Sequence, residues 1–186
     1  SVVDHIIKEY PVADKSVRIL KDINLEINNG DFVMIVGPSG CGKSTLLHTI
    51  NGWEEPTQGR VFIEGIDIYQ KDEDDRAKMC RGPIAMVHQA SNWVKSLSVM
   101  AIPHIMAGFD KKISYDRAYA LLQLLGLEKY HDYKPMDLSG GQQQRINFLR
   151  CLVNNPRIIM ADEPTGNLDS SSSQVMMELF AQINSR

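Results

Sequence analysis

The chain has 186 residues, enough for one domain with a substantial core or for one core with a small appended lobe. Twenty Lys and Arg against 23 Asp and Glu leave a formal charge of -3, so no global cationic field points to nucleic acid or anionic lipid as a partner. Three scattered cysteines, Cys41, Cys80 and Cys151, give neither a disulfide framework nor a zinc spacing, and the five histidines form no metal-ligating pattern.

In chain order, Val2 to Tyr10 and the alternating Ile19, Ile23, Leu25 and Ile27 predict strands, closed by the turn Asn28-Asn29-Gly30. They are expected to form an antiparallel lobe. Phe32 to Val36 is a continuous apolar run ending in glycine, the pattern of a strand buried on both faces of a parallel sheet. Lys43 to Asn51 has helical spacing, with Leu46, Leu47 and Ile50 on one side. Pro56 to Gly59 reads as a turn, Val61 to Ile63 and Ile66 to Tyr69 as strands, and the charged run Lys71 to Arg76 as a solvated loop or helix start. From Trp93 to Asn154 the pattern is mostly helical. It is clearest over Tyr115 to Leu125, where Ala118, Leu121, Leu122 and Leu125 share a face and Gly126 ends it. Arg157 to Ala161 is a short apolar strand running into Asp162-Glu163, and Ser170 to Ser173 opens a last helix over Gln174 to Ile183. Apolar runs are strand-sized, far below the roughly 18 to 20 residues of a membrane span, and charges near the N-terminus interrupt any signal-peptide core.

Three fragments carry chemistry. Gly37-Pro38-Ser39-Gly40-Cys41-Gly42-Lys43-Ser44-Thr45 fits GxxxxGK[ST] between an expected strand and an expected helix, the context of a phosphate-binding loop. Its glycines let backbone N–H groups wrap a phosphate where a Cβ would clash, and the helix N-terminus adds partial positive charge. Lys43 is placed for the β and γ phosphates, Ser44 for magnesium and Thr45 for the α-phosphate region. Ile158 to Glu163 delivers two carboxylates: Asp162 is suited to magnesium and Glu163 to polarising an attacking water. Ser139, Gly140, Gly141 and Gln142 open a helix and offer a hydroxyl and N–H groups to an anion. A plain N-cap explains Ser139 but not the paired glycines, so this second anion site is expected to face the nucleotide of a partner copy. No guanine-reading NKxD tetrapeptide occurs.

In this order the motifs resemble those of the ATP-binding cassette (ABC) ATPases, and the resemblance runs from Tyr10 to Asp169. It implies an α/β fold: a P-loop, RecA-like core with an antiparallel β lobe and an α-helical lobe at approximately residues 95–150, all within one nucleotide-binding domain. Gly37 to Thr45 is then the Walker A loop, Leu138 to Gln142 the signature, Ile158 to Glu163 the Walker B strand and Asn167 to Asp169 the D-loop. Gln89 is similar to the Q-loop glutamine, a catalytic and magnesium-contacting residue, and Tyr10 to the aromatic that stacks on adenine. The implied cofactors are ATP and Mg2+.

The wording SGGQQQR with ADEPTGNLD resembles the branch containing lipoprotein-releasing, MacB-like and cell-division exporter ATPases. That implies a head-to-tail dimer with a second copy, a separate transmembrane permease, a peripheral location on the cytoplasmic side of the membrane and no nucleic acid. Two departures stand out. No histidine follows His131, so the switch histidine, with the last strand and helix, is expected to be missing from this piece, and hydrolysis by it to be weak. Leu97 to Pro103 also departs from the family wording beside the permease groove, where Trp93, Met100 and Met106 could line an apolar surface or belong to the core. An ABC-type ATPase acting without a permease and an ATP-binding module with little hydrolysis are the competing readings.

Overall fold

A computed structural model describes residues 1–81, 83–87, 108–124, 126–131 and 137–185. The chain divides into two compact units, residues 1–80 with 181–186, and residues 81–180.

In the first unit, β1 (Val2–Val12), β2 (Lys15–Glu26), β3 (Gln58–Ile63) and β4 (Ile66–Asp67) form an antiparallel sheet in the order β2-β1-β3-β4. The β1–β2 hairpin closes at the pair Val12↔Lys15, so Ala13 and Asp14 make a two-residue turn. Ala13 takes φ 52°, the left-handed backbone that matches such a turn to strand twist. Val3, Ile6, Leu20, Val61 and Ile63 point inward with 0 to 3% exposure, each contributing roughly 1.5–3 kcal/mol by leaving water. Helix α1 (Lys43–Ile50) adds Leu46 and Ile50 to the buried set. It stops where Gly52, at φ 80°, lets Trp53 N–H reach His48 O at 3.0 Å and its own N–H reach Thr49 O at 3.3 Å, a glycine-closed C-terminus. Asn28 to Asp31 forms the expected turn, with Gly30 at φ 85° and Asn28 N–H donating to the Asp31 carboxylate at 2.8 Å. Within the charged run, Asp72 accepts from Asp75 N–H at 2.8 Å and so caps α2 (Glu73–Arg81).

In the second unit, β5 (Ile84–Val87) and β6 (Ile158–Ala161) pair in parallel, from Ile84↔Ile158 to Val87↔Ala161. Helices α3 (Lys111–Leu124), α4 (Gly140–Leu152) and α5 (Ser170–Asn184) follow, with a 3-10 turn at Glu128–Tyr130 between the first two and α5 running on past the boundary of this unit. The α3 C-terminus ends as α1 does: Gly126 at φ 64° lets Leu127 N–H reach Leu122 O at 2.9 Å, and both leucines are buried. The Arg117 guanidinium donates to Val153 O and ties α3 to the end of α4. Phe148 and Phe180 stack with ring centroids 4.5 Å apart, joining α4 to α5. Helix α4 buries Ile146, Phe148, Leu149 and Leu152, the stripe its 3.6-residue period requires.

Three expectations are corrected. The expected strand Ile66 to Tyr69 stops at Asp67, whose carboxylate accepts from Tyr69 N–H at 3.2 Å and opens a 3-10 turn over Ile68–Gln70. Phe32–Val36 is not a strand: Phe32, Val33, Met34 and Val36 are 46 to 79% exposed, and no ladder pair engages the run among the described residues. Apolarity makes a run able to be a buried strand, but inter-strand hydrogen bonds make it one. Pro56 to Gly59 is only half a turn, since Gln58 and Gly59 already belong to β3. A Cβ at Gly59 would fall 2.3 Å from His5 O, so the strand passes β1 closely where only glycine fits. Gln89, His88, Trp93, Met100, Met106, Leu97 to Pro103 and Leu125 lie outside the described residues.

Candidate functional site

The loop Gly37 to Gly42 feeds α1 with no side-chain cap. Gly42 itself is the N-cap residue at φ 99°, where a Cβ would approach Ile19 Cγ2 to 3.0 Å and Leu20 Cδ2 to 3.2 Å. Glycine is therefore demanded twice, by the left-handed backbone and by β2 lying against it. Gly40 is also left-handed, at φ 77°, and Cys41 N–H closes the loop onto Pro38 O at 3.3 Å. Lys43 curls back over this loop, its ammonium donating to Gly37 O at 3.1 Å and Pro38 O at 3.0 Å. Ser39 and Ser44 are exposed and Thr45 half-buried. The result is a cation and a helix N-terminus gathered at one end of α1, an arrangement suited to an anion.

Tyr10 belongs to the same unit. Its half-buried ring lies past the last β1–β3 pair, Ile7↔Gln58, and is paired only with Val17 on the β2 side. Its hydroxyl donates to the Glu54 carboxylate. Burial, then that neighbouring carboxylate, pushes the phenol pKa above its ordinary value, so the proton stays available as a donor.

In the second unit, β6 is followed directly by Asp162, whose N–H extends the pairing to Val87 O at 3.0 Å. The next residue, Glu163, is exposed and takes φ 45°, and Gly166 N–H closes a turn onto Glu163 O at 3.1 Å. A left-handed backbone at a non-glycine residue costs about 1–2 kcal/mol, and here it turns the chain sharply at the second carboxylate. The turn leads to Asp169, which caps α5 by accepting from Ser171 Oγ at 2.6 Å, Ser172 N–H at 2.9 Å and Ser172 Oγ at 2.8 Å. Those donors, the Ser171 hydroxyl first, hold the carboxyl well below the usual carboxylate range.

Ser139 is the N-cap of α4 in a reciprocal box: Gln142 N–H donates to Ser139 Oγ at 3.4 Å and Ser139 N–H to Gln142 Oε1 at 2.8 Å. Gln142 also donates to the Tyr130 hydroxyl at 2.8 Å. The paired glycines differ in their surroundings. A Cβ at Gly141 would meet Ser172 Oγ at 2.8 Å, so this glycine lets α4 and α5 start side by side. A Cβ at Gly140 would meet nothing within 4 Å.

Each unit thus gathers its own set: Tyr10 with Gly37 to Thr45 in the first, and the Asp162–Glu163 turn and the Ser139–Gln142 helix start in the second. Sequence reasoning missed Tyr130 and Glu54. The pair Tyr10–Glu54 is separated by 44 residues with no spacing signal, and only the sheet brings it together.

Comparison with known proteins agrees with these motifs. The ABC transporter family matches over residues 20–166. The macrolide export ATP-binding/permease protein MacB of Bdellovibrio bacteriovorus is 42% identical over 180 residues, 95% of this chain and 27% of its own length. An uncharacterised ABC transporter ATP-binding protein of Methanocaldococcus jannaschii is 41% identical over 182 residues, 96% of this chain and 81% of its own. The chain therefore spans about a quarter of the MacB relatives and most of the second protein. Among solved structures, the dimeric ATP-binding cassette MJ0796 in a post-hydrolysis state with ADP and Pi superposes with a TM-score of 0.88 at 37% identity, covering 98% of this chain and 82% of that one. In sequence and in fold alike, the chain belongs to the ABC transporter family, as one of its ATP-binding cassettes.

Proposed function

We propose that this chain is the ATP-hydrolysing subunit of a transporter, closing head to tail on a second copy and working on a separate permease at the cytoplasmic side of the membrane. The observation that carries the reading is the glycine-capped start of α1, where Lys43 and the first-turn residues are gathered over the loop. The relatives support a permease partner in general: several are named ATP-binding/permease proteins, of which this chain matches about a quarter, and the similar solved cassette is dimeric. The whole of residues 1–186 is read as one nucleotide-binding domain, with its helical subdomain at about 95–150.

In this mechanism Gly37, Pro38, Ser39, Gly40, Cys41 and Gly42 wrap the phosphates with backbone N–H groups, and Lys43 exchanges its loop carbonyls for β and γ phosphate oxygens. Tyr10 stacks on the base. Ser44, Asp162 and Gln89 offer hydroxyl, carboxylate and amide oxygens, hard donors that suit Mg2+. When bound, Mg2+ neutralises charge on the phosphates. Glu163 orients the attacking water. Ser139, Gly140, Gly141 and Gln142 contact the nucleotide held by the other copy, so closure and catalysis depend on each other, and the differential affinity of ATP for closed and open pairs supplies the work.

The test is a pair of variants in the natural full-length protein. Glu163→Gln should bind ATP and accumulate as a dimer on size exclusion, while Lys43→Ala should lose ATP binding by calorimetry. An unchanged dimer lifetime in the first, or unaltered affinity in the second, removes the assignment of that residue.

A further inference from the structure

We propose that Glu54 is a positioning residue for base recognition: it accepts the Tyr10 hydroxyl and thereby fixes the ring on which adenine stacks. The inference rests on Tyr10 as the base platform and adds what holds it.

Among the described residues, Tyr10 has a ladder partner on the β2 side only and its ring is half-buried, so no neighbouring strand on the other side packs against it and the hydroxyl supplies a tether. It donates to Glu54 Oε2. Glu54 lies just beyond the glycine-closed end of α1, the helix whose first turn carries Lys43 and Ser44. The hydrogen bond therefore ties the ring to the C-terminal end of the helix that the phosphate loop opens.

Glu54 is itself held. Its N–H reaches His48 O at 3.3 Å, and its carbonyl lies 2.6 Å from the Tyr69 hydroxyl, which also sits 2.7 Å from Thr49 O. Its carboxylate is thus presented from a fixed backbone and need not be ordered when it accepts the phenol's hydrogen bond. On the ring, the Lys8 ammonium sits 5.1 Å from the centroid and donates to Glu55 O at 2.6 Å, so one face is already covered by a cation and the base takes the other. A ring ordered before binding spares the ligand the cost of freezing two side-chain torsions, a saving of about three- to tenfold in affinity.

The test compares ATP and inorganic tripolyphosphate binding by calorimetry in Tyr10→Ala, Tyr10→Phe, Glu54→Ala and Glu54→Gln, with folding followed by circular dichroism. Glu54→Ala should weaken ATP by about three- to tenfold and leave tripolyphosphate unchanged. Glu54→Gln keeps an oxygen acceptor and should recover most of the loss. In the Tyr10→Phe background, Glu54→Ala should add nothing further. Equal weakening of ATP and tripolyphosphate, or an undiminished Glu54→Ala effect in Tyr10→Phe, overturns the proposal. If Glu54→Ala does not fold, Glu54→Gln and Tyr10→Phe carry the same cycle. Loss of ATP preference in Tyr10→Ala with none in Glu54→Ala sinks the positioning role alone, whereas an unchanged preference in Tyr10→Ala sinks the platform and this proposal with it.

Discussion

The two glycines that open α4 can be separated by one methyl group each. At Gly140 an added Cβ meets nothing within 4 Å, so Gly140→Ala changes only helix propensity and unfolded-chain entropy, a gain of about 0.5 kcal/mol in a first turn. At Gly141 the same atom falls 2.8 Å from Ser172 Oγ and 3.3 Å from Ser172 Cβ. That hydroxyl cannot simply swing away, because it donates to Asp169 Oδ2 at 2.8 Å. Overpacking of this kind costs about 1–3 kcal/mol, which outweighs the propensity gain. In a chain of this size the expected change is a rise of about 1–2 °C in Tm for Gly140→Ala and a fall of about 2–6 °C for Gly141→Ala. Ser172→Ala should return part of the Gly141→Ala loss by removing the nearer atom. Turnover should behave differently: if the helix start faces a partner's nucleotide, both variants intrude on it and ATPase activity falls at least about tenfold in each. Calorimetric scanning with a phosphate-release assay checks both halves. Equal Tm losses would refute the packing argument, and full turnover in Gly140→Ala would refute the nucleotide-facing role.

Other expectations follow from single side chains and turns. Cys41 is exposed in the loop, whereas burial pushes the Cys151 thiol up to about 11 and its Sγ lies 3.3 Å from Met86 O. Peptide-resolved alkylation at pH 8 should therefore modify Cys41 well before Cys151, and ATP should protect Cys41; equal rates would refute the burial argument. The Asp169 carboxyl is held below its ordinary 3.8 by the serine donors, so its contribution to α5 is complete above that value and is lost as pH falls through the lower folded one. Amide exchange at Ser171 to Ser173 should accelerate relative to the rest of α5 below about pH 3.8, and Asp169→Asn should flatten that dependence. Glu163→Gly should relieve the φ 45° backbone, stabilising the chain by up to about 1 kcal/mol while abolishing turnover; a lower Tm would count against strain at that turn.

What could be read in the sequence was local. The caps and stops were legible because their chemistry is contained in a few consecutive residues: Gly126 behind α3, the serines at the start of α5, and Ser139 as an N-cap of α4, although its reciprocal bonding with Gln142 was missed. The Phe32 to Val36 expectation failed for the opposite reason. Five apolar residues state what a strand would bury, but whether one forms depends on neighbours elsewhere in the chain. The paired glycines of the signature show both limits. Sequence assigns them one purpose, yet Gly141 is already required by Ser172 some thirty residues on, which leaves Gly140 as the glycine with no packing reason inside the chain.

The polar groups assigned to nucleotide already bond their own chain, and this sets how affinity should be reasoned about. Lys43 donates to two loop carbonyls, and Ser139 and Gln142 satisfy each other. A phosphate arriving at these atoms exchanges bonds instead of adding them, so each contributes the difference between two hydrogen bonds, about 0.5–1.5 kcal/mol for neutral pairs and more for the charged lysine. For Lys43 the exchange replaces neutral carbonyls by an anion and strongly favours the ligand. For Ser139 it replaces one neutral acceptor by a charged one, a smaller gain that must also offset the loosened start of α4. Under the proposed closure, the loop is therefore the affinity-determining half and the helix start the weaker one, the order a reversible closure would require: nucleotide would be held by one copy before the second copy's contribution decides whether the pair stays shut.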